Sequence, residues 1–292
     1  LWEISDIQKK HSSSIDTAMT PQETLLTSQT DIYNSTYKIL QTLPKFEYRE
    51  SQKQMCDIVD KMYYDNAKFA IEAPTWTWKT FVYLIAALLH AKKTWSQTCI
   101  STSTKLLQDQ ICEEDLKYLK MHLPFSFTFA KLTGKKNYFS IWKYYEYLEL
   151  HKKFTRVQIS FFLKLYLWSI TTSYGELREL EYYGEEYNFL YNVDASHLFY
   201  ESSQPLSSQA EFYFNARKAA ELSDIIITNS YVLIQESLNP TGIFTSIDTL
   251  VVDEAHSLED VVSSSTLVKL SSGVLTQLFW LFDRKLQKHS LN

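Results

Sequence analysis

Two clusters of residues in this chain have the types and spacing to handle a phosphate chain and a divalent cation. Val251-Val252-Asp253-Glu254-Ala255-His256 closes a short apolar run with two adjacent carboxylates and a histidine. A buried parallel strand that ends this way delivers its acids to the rim of a nucleotide site. There Asp253 can hold Mg²⁺ and Glu254 can orient and deprotonate an attacking water. Upstream, residues 68–80 read Lys-Phe-Ala-Ile-Glu-Ala-Pro-Thr-Trp-Thr-Trp-Lys-Thr. An apolar strand over 69–73, a short loop, Lys79-Thr80 and a helical stretch over 80–92 make a phosphate-binding framework. In such a framework loop amides wrap the phosphates, the lysine reaches the β/γ oxygens and the Thr80 hydroxyl binds Mg²⁺.

Two positions depart from that chemistry. Trp78 stands immediately before the lysine and Trp76 two residues earlier. A phosphate loop calls for glycine at both, because glycine reaches positive φ cheaply and lets a phosphate approach the backbone. Trp95, in Lys-Lys-Thr-Trp-Ser-Gln, fills a turn slot between helix and strand where glycine also fits. The chain has five glycines and seven tryptophans in 292 residues, against about 7% glycine in ordinary proteins. Either some of these tryptophans are UGA codons that the source organism reads as glycine, or a double substitution has closed the site. The intact acidic motif favours recoding, although recoding all seven tryptophans would still leave glycine low.

With glycine at 76 and 78 the loop would read Ala-Pro-Thr-Gly-Thr-Gly-Lys-Thr, which resembles motif I of superfamily 2 helicases of the XPD/DinG-like branch. Phe46-Glu-Tyr-Arg-Glu-Ser-Gln52 resembles the adenine-reading Q motif of that family. Ile100-Ser-Thr-Ser-Thr-Lys-Leu-Leu-Gln-Asp-Gln110 resembles motif Ia, and Val251 to His256 resembles motif II, the DEAH box. Ala216-Arg217 with Asp224-Ile-Ile-Ile-Thr-Asn229 resembles the run that precedes motif II.

The resemblance implies an α/β fold, a RecA-like parallel sheet flanked by helices, interrupted by a mainly helical insertion. It also implies ATP and Mg²⁺ as cofactors. Gln52 would read the adenine edge beside Arg49, with Phe46 or Tyr48 stacking on the base. Thr75, Trp76, Thr77, Trp78, Lys79 and Thr80 would surround the phosphates, with Thr80 and Asp253 on the metal. Glu254, Asp253 and Lys79 would carry the chemistry, and His256 would couple the nucleotide to a second motor domain. Ser101, Thr102, Thr104 and Gln108 are the expected contacts to the DNA backbone.

The elements that must position these residues are readable as alternation. Helix, strand, helix, strand and helix succeed one another over 46–115, as a parallel sheet requires. Residues 116–215 break the rhythm with Tyr, Phe, Leu and Lys, and read as helices over 141–152 and 157–168. The expected divisions are an N-terminal extension (1–45), the first part of motor domain 1 (46–115), the insertion (116–215), the second part of the motor domain (216–256) and the start of an arch-like helical insertion (257–292). In the family the first insertion often carries a four-cysteine iron–sulfur cluster. Here Ser140 and Glu211 occupy the first and last ligand positions, and Cys56, Cys99 and Cys112 are the only cysteines. Hydroxyl and carboxylate do not replace thiolates on such a cluster, so none is expected.

Composition adds bounds. The net charge of −5 excludes wholesale basic coating but not a local basic groove. No apolar run approaches the ~20 residues of a membrane span, and three scattered cysteines suit a reducing cytoplasm. The chain begins without Met and stops shortly after motif II, so it reads as a fragment lacking motor domain 2. The expectation is an ATP-dependent DNA helicase translocating 5′ to 3′ on single-stranded or forked DNA, in repair or replication. The alternative is a catalytically dead scaffold that binds DNA or protein, because Trp76 and Trp78 block the loop. A nuclease-fused member is a third class, and residues 1–45 show no acidic metal cluster for it.

Overall fold

The computed structural model describes residues 35–44, 46–65, 67–74, 77–197, 211–238, 243 and 247–266. Thr75 and Trp76 of the expected phosphate loop lie outside them. The sheet is built from β1 (Thr98–Thr102), β2 (Phe129–Lys131), β3 (Ile225–Asn229) and β4 (Thr249–Val252), all parallel, in the order β2-β3-β1-β4. β1 and β3 are buried at every residue. That matches their unbroken β-branched and apolar runs, the pattern of a strand covered on both faces.

Around the sheet run α1 (Ser35–Thr42), α2 (Glu50–Asp65) and α3 (Lys79–Thr94). They are followed by α4 (Lys105–Gln110), a π-turn over Ile111–Asp115 and α5 (Leu116–His122). Helix α3 is the centre of the motor core, with Val82, Leu84, Ile85, Ala87 and Leu88 fully buried. It ends on Lys92 and Lys93, cations placed against the negative end of the helix dipole. Trp95 then turns the chain in the left-handed region (φ 58°, ψ 25°), its N–H bonded to Ala91 O at 2.9 Å.

The range expected for the insertion holds α6 (Ile141–Leu150) and α7 (Arg156–Ser169), and α8 (Phe212–Glu221), α9 (Ser230–Ser237) and α10 (Leu258–Thr266) follow. Its core is aromatic: Phe139, Tyr144, Phe161 and Phe162 are buried around Tyr138 and Tyr213. Gly175 sits at φ +67°, and a Cβ there would meet the Phe212 ring at 2.1 Å, so only glycine closes this turn. Asp109 on α4 joins the two regions. It takes both Arg178 guanidinium nitrogens at 2.6 Å and Lys131 at 3.2 Å, while the buried Glu176 carboxylate also pairs with Lys131 at 3.0 Å.

Three expectations need correction. Residues 69–73 form no strand: 67–74 have no regular secondary structure, with Phe69 and Ile71 exposed. The strand before the acids is not buried either, since β4 is an edge and Leu250 is 49% exposed. Among the described residues neither segment has a sheet neighbour on that side, and apolar pattern alone does not supply one. Finally, β2 falls inside the range expected for the insertion, so sheet-forming chain continues to Lys131 before the aromatic region begins.

Candidate nucleotide site and nucleic-acid cleft

The first site forms where α3 begins and β4 ends. Thr77 closes a 3₁₀ turn by directing both its N–H (3.1 Å) and its hydroxyl (2.7 Å) to Pro74 O. The expected phosphate contact of Thr77 therefore does not stand for its side chain, which is fully buried in that turn. Trp78 follows in the left-handed region (φ 53°, ψ 36°) and caps α3 without a side-chain hydrogen bond. Its indole leans on the Phe81 ring, centroids 5.4 Å apart. The first intrahelical bond is Val82 N–H to Trp78 O, so the amides of Lys79, Thr80 and Phe81 precede it. Such amides are the donors a phosphate takes at a helix start.

β4 brings the acids to the same place. The Asp253 N–H donates to Ser101 O of β1 at 2.8 Å, extending the sheet register by one residue. Glu254 turns the chain at φ 54°, and its carbonyl accepts both the N–H and the hydroxyl of Ser257. This reversal aims the Glu254 carboxylate at Lys79, Oε1 to Nζ 2.6 Å. The pair holds the Glu254 carboxyl below its usual range and raises the Lys79 ammonium. Asp253 ties the acidic turn to α3: its Oδ1 accepts the Glu254 N–H (3.0 Å) and its Oδ2 the Tyr83 hydroxyl (3.2 Å). Lys79, Thr80, Asp253 and Glu254 thus converge, although the sequence places the acids far from the lysine. Tyr83 was missed by sequence reasoning. Its position one helical turn beyond Lys79, on the same face, was the available signal.

The other expected nucleotide contacts are mixed. Gln52 is buried on the first turn of α2, and its Oε1 has no partner among the described residues. That leaves an unused acceptor of the kind an adenine amino group needs. Phe46 packs edge-on to Tyr37 at 6.1 Å, Tyr48 is exposed, and Arg49 pairs with Glu47 at 3.0 Å. His256 is largely exposed, 3.4 Å from Glu254 Oε2.

The side chains expected to contact DNA are engaged within the fold. Ser101, Thr102 and Gln108 are each fully buried. Ser101 Oγ lies 3.2 Å from Ser230 Oγ, and Thr102 donates to Thr104 O at 3.0 Å. Gln108 donates to Leu132 O and Ile227 O, stitching α4 to the sheet. Thr104 caps α4 by accepting the Leu107 N–H. Hydroxyl and amide groups after a strand satisfy the backbone there as readily as they would a phosphate.

A cleft of about 560 Å³ opens beside them, past the C-terminal ends of β1, β2 and β3. Ser103, Lys105, Lys135, Lys136, Asn137 and Tyr231 contribute to its wall. Lys105 Nζ bonds Asn137 Oδ1 at 2.6 Å, and Lys136 lies over the Tyr231 ring. Burial, with Arg178 and Lys136 nearby, pulls the Lys105 ammonium below its ordinary range, and burial does the same to Lys135. The acid in the wall, Glu236, is held by Arg217 at 3.0 Å. Crowded, partly desolvated cations of this sort are stabilised by a polyanion.

At the expected cluster positions, Ser140 Oγ donates to Glu211 Oε1 at 3.1 Å, and the Trp142 N–H donates to the same oxygen at 2.8 Å. The three cysteines are free and buried, on α2, β1 and the π-turn. Burial pushes the Cys56 and Cys112 thiols up to about 12. These donors do not fit an iron–sulfur cluster.

The DEAD_2 family profile matches residues 190–275. The 3'-5' exonuclease DinG of Bacillus subtilis is 30% identical over 226 residues, covering 76% of this chain and 24% of that protein. DinG of Staphylococcus saprophyticus is 28% identical over 224 residues, with 77% and 24% covered. Over these residues the chain is similar to DinG-like superfamily 2 helicases. Another relative in this DinG-like group, the ATP-dependent DNA helicase YoaA of Escherichia coli, is 29% identical over 259 residues, covering 85% of the chain and 39% of that protein. The chain therefore spans about a quarter of the DinG relatives. No helix among the described residues is long and apolar enough to cross a membrane.

Proposed function

We propose that this chain is the first motor domain, with its aromatic insertion, of an ATP-dependent DNA helicase that moves 5′ to 3′ along single-stranded or forked DNA in repair or replication. The observation that carries the reading is the meeting of Lys79 and Glu254 at 2.6 Å, with Asp253 and Thr80 alongside, at the start of α3. In this reading Thr80 and Asp253 hold Mg²⁺, which would neutralise phosphate charge when bound. Lys79 and the amides of Lys79, Thr80 and Phe81 bind the phosphates, and Gln52 reads the base. Glu254 exchanges Lys79 for a water when nucleotide arrives, and its carboxylate accepts that water's proton. His256 faces outward, where a second motor domain would sense it.

The DNA contact in this reading is the lysine cleft, which takes phosphodiester through Lys105, Lys135 and Lys136 and a base on Tyr231. Residues 257–292 begin the arch-like segment, and the buried free thiols suit a reducing, cytoplasmic setting. The exonuclease activity named for the DinG relatives is not part of this reading, which rests on the helicase-type motifs. The scaffold reading keeps one specific observation in its favour, the Trp78 side chain at the phosphate loop.

Titration with a fluorescent ATP analogue decides between them. The motor reading expects Mg²⁺-dependent binding that Lys79→Ala weakens at least 10-fold, while Glu254→Gln preserves binding and stops hydrolysis. Absence of nucleotide binding in the unaltered protein would establish the scaffold.

A further inference from the structure

Tyr83 lies one turn beyond Lys79 on α3 and is 6% exposed. Its hydroxyl donates to Asp253 Oδ2, 3.2 Å away, and Thr80 stands three residues earlier on the same helix. Asp253 is clamped from its second side by the Glu254 N–H on Oδ1, at 3.0 Å, and from behind by its own N–H to Ser101 O, at 2.8 Å. A carboxylate with one donor on each oxygen cannot rotate about its Cβ–Cγ bond without losing both. Each oxygen nevertheless keeps a lone pair for a cation.

Two of these clamps are backbone groups that any residue at 253 would have. The third is the phenol, whose ring is fixed by the packing of the most buried helix in the motor core. Tyr83 bonds one of the two side chains that the proposed function assigns to the metal and shares α3 with the other. One rigid group on α3 thereby ties that helix to the carboxylate that follows β4, which no sheet hydrogen bond does.

We propose that Tyr83 is a positioning residue for the divalent cation, fixing the Asp253 carboxylate as a preformed ligand at the start of α3, where Thr80 stands. This rests on the nucleotide reading of the same site. Outer-shell partners of metal ligands are commonly worth about 10- to 100-fold in metal affinity, so the effect belongs in the metal dependence rather than in nucleotide affinity as such.

The test is Tyr83→Phe, which keeps the ring and removes the hydroxyl. It is read by the Mg²⁺ concentration needed to bind a fluorescent ADP analogue and by electron paramagnetic resonance of Mn²⁺ titrated into the same complex. The expected result is a rise of about 10-fold in both metal requirements, with metal-free nucleotide affinity and thermal midpoint unchanged. In an Asp253→Asn background the same change should add nothing further to the metal requirement, since the carboxylate that the phenol orients is no longer there. An unchanged metal requirement, or a parallel fall in metal-free nucleotide affinity, overturns the positioning role and leaves the nucleotide reading standing. If the unaltered protein shows no metal-dependent nucleotide binding, the nucleotide reading falls and Tyr83's role with it.

Discussion

Three non-glycine residues of the described chain have positive φ: Trp78, Trp95 and Glu254. An L-residue with a Cβ costs roughly 1–2 kcal/mol there, and a bulky aromatic has no local hydrogen bond to offset it. Both tryptophans fall where the loop and turn chemistry of the sequence asks for glycine, so backbone angle and motif agree position by position. Trp142 and Trp168 differ. They sit inside helices, and Trp168 donates its indole N–H to Glu179 at 3.2 Å and packs edge-on to Phe139. Peptide masses from protein made in its native host should therefore show glycine at 78 and 95 and tryptophan at 142 and 168. If tryptophan is found at all four, Trp78→Gly and Trp95→Gly should each raise stability by about 1 kcal/mol in denaturant melts. Glu254 is the instructive contrast. Its left-handed turn aims a functional carboxylate, and nothing in Asp-Glu-Ala-His announces the angle.

At the scale of elements, the helices were the readable part. The expected helix over 80–92 is Lys79–Thr94, and that over 157–168 is Arg156–Ser169. Their periodic apolar faces and a Thr155 capping box mark them locally. β2 was unreadable because three residues carry no period, and its place in the sheet comes from pairing with β3. The buried DNA-candidate residues misled for a related reason: a polar side chain after a strand looks the same whether it serves solvent or its own backbone. The insertion's closing contact makes a prediction at this scale. Burial lifts the Glu211 carboxyl from its ordinary 4.5 to about 7, and Asp60, bonded to Thr36, from 3.8 to about 7. The folded chain thus keeps protons that the unfolded chain releases near pH 4 to 4.5. Stability from both groups is full below that and is lost as pH rises through 7. Thermal midpoints should fall between pH 5 and 8. Glu211→Gln should flatten that slope, adding on the order of 2 kcal/mol at pH 8, and an unchanged slope would refute the assignment.

Across the whole molecule, charge and surface are unevenly spread. The chain is net −5, yet Lys105, Lys135 and Lys136 share one cleft. A Lys135→Ala/Lys136→Ala pair should weaken single-stranded DNA binding at least 10-fold in low salt. It should also lower the log–log salt slope by about 1.4, at about 0.7 per phosphate contact. Alanines at Lys92 and Lys93, which lie at the far end of α3, should leave that slope alone. The other large-scale feature is β4, an edge strand of the sheet among the described residues, with Leu250 exposed. Such an edge is adhesive without being selective, since any extended peptide can continue the ladder. Handled alone in solution, this chain carries its own nucleus for aggregation. Because that adhesion runs through backbone amides rather than charge, adding salt to calm the lysine cleft would do nothing to prevent it.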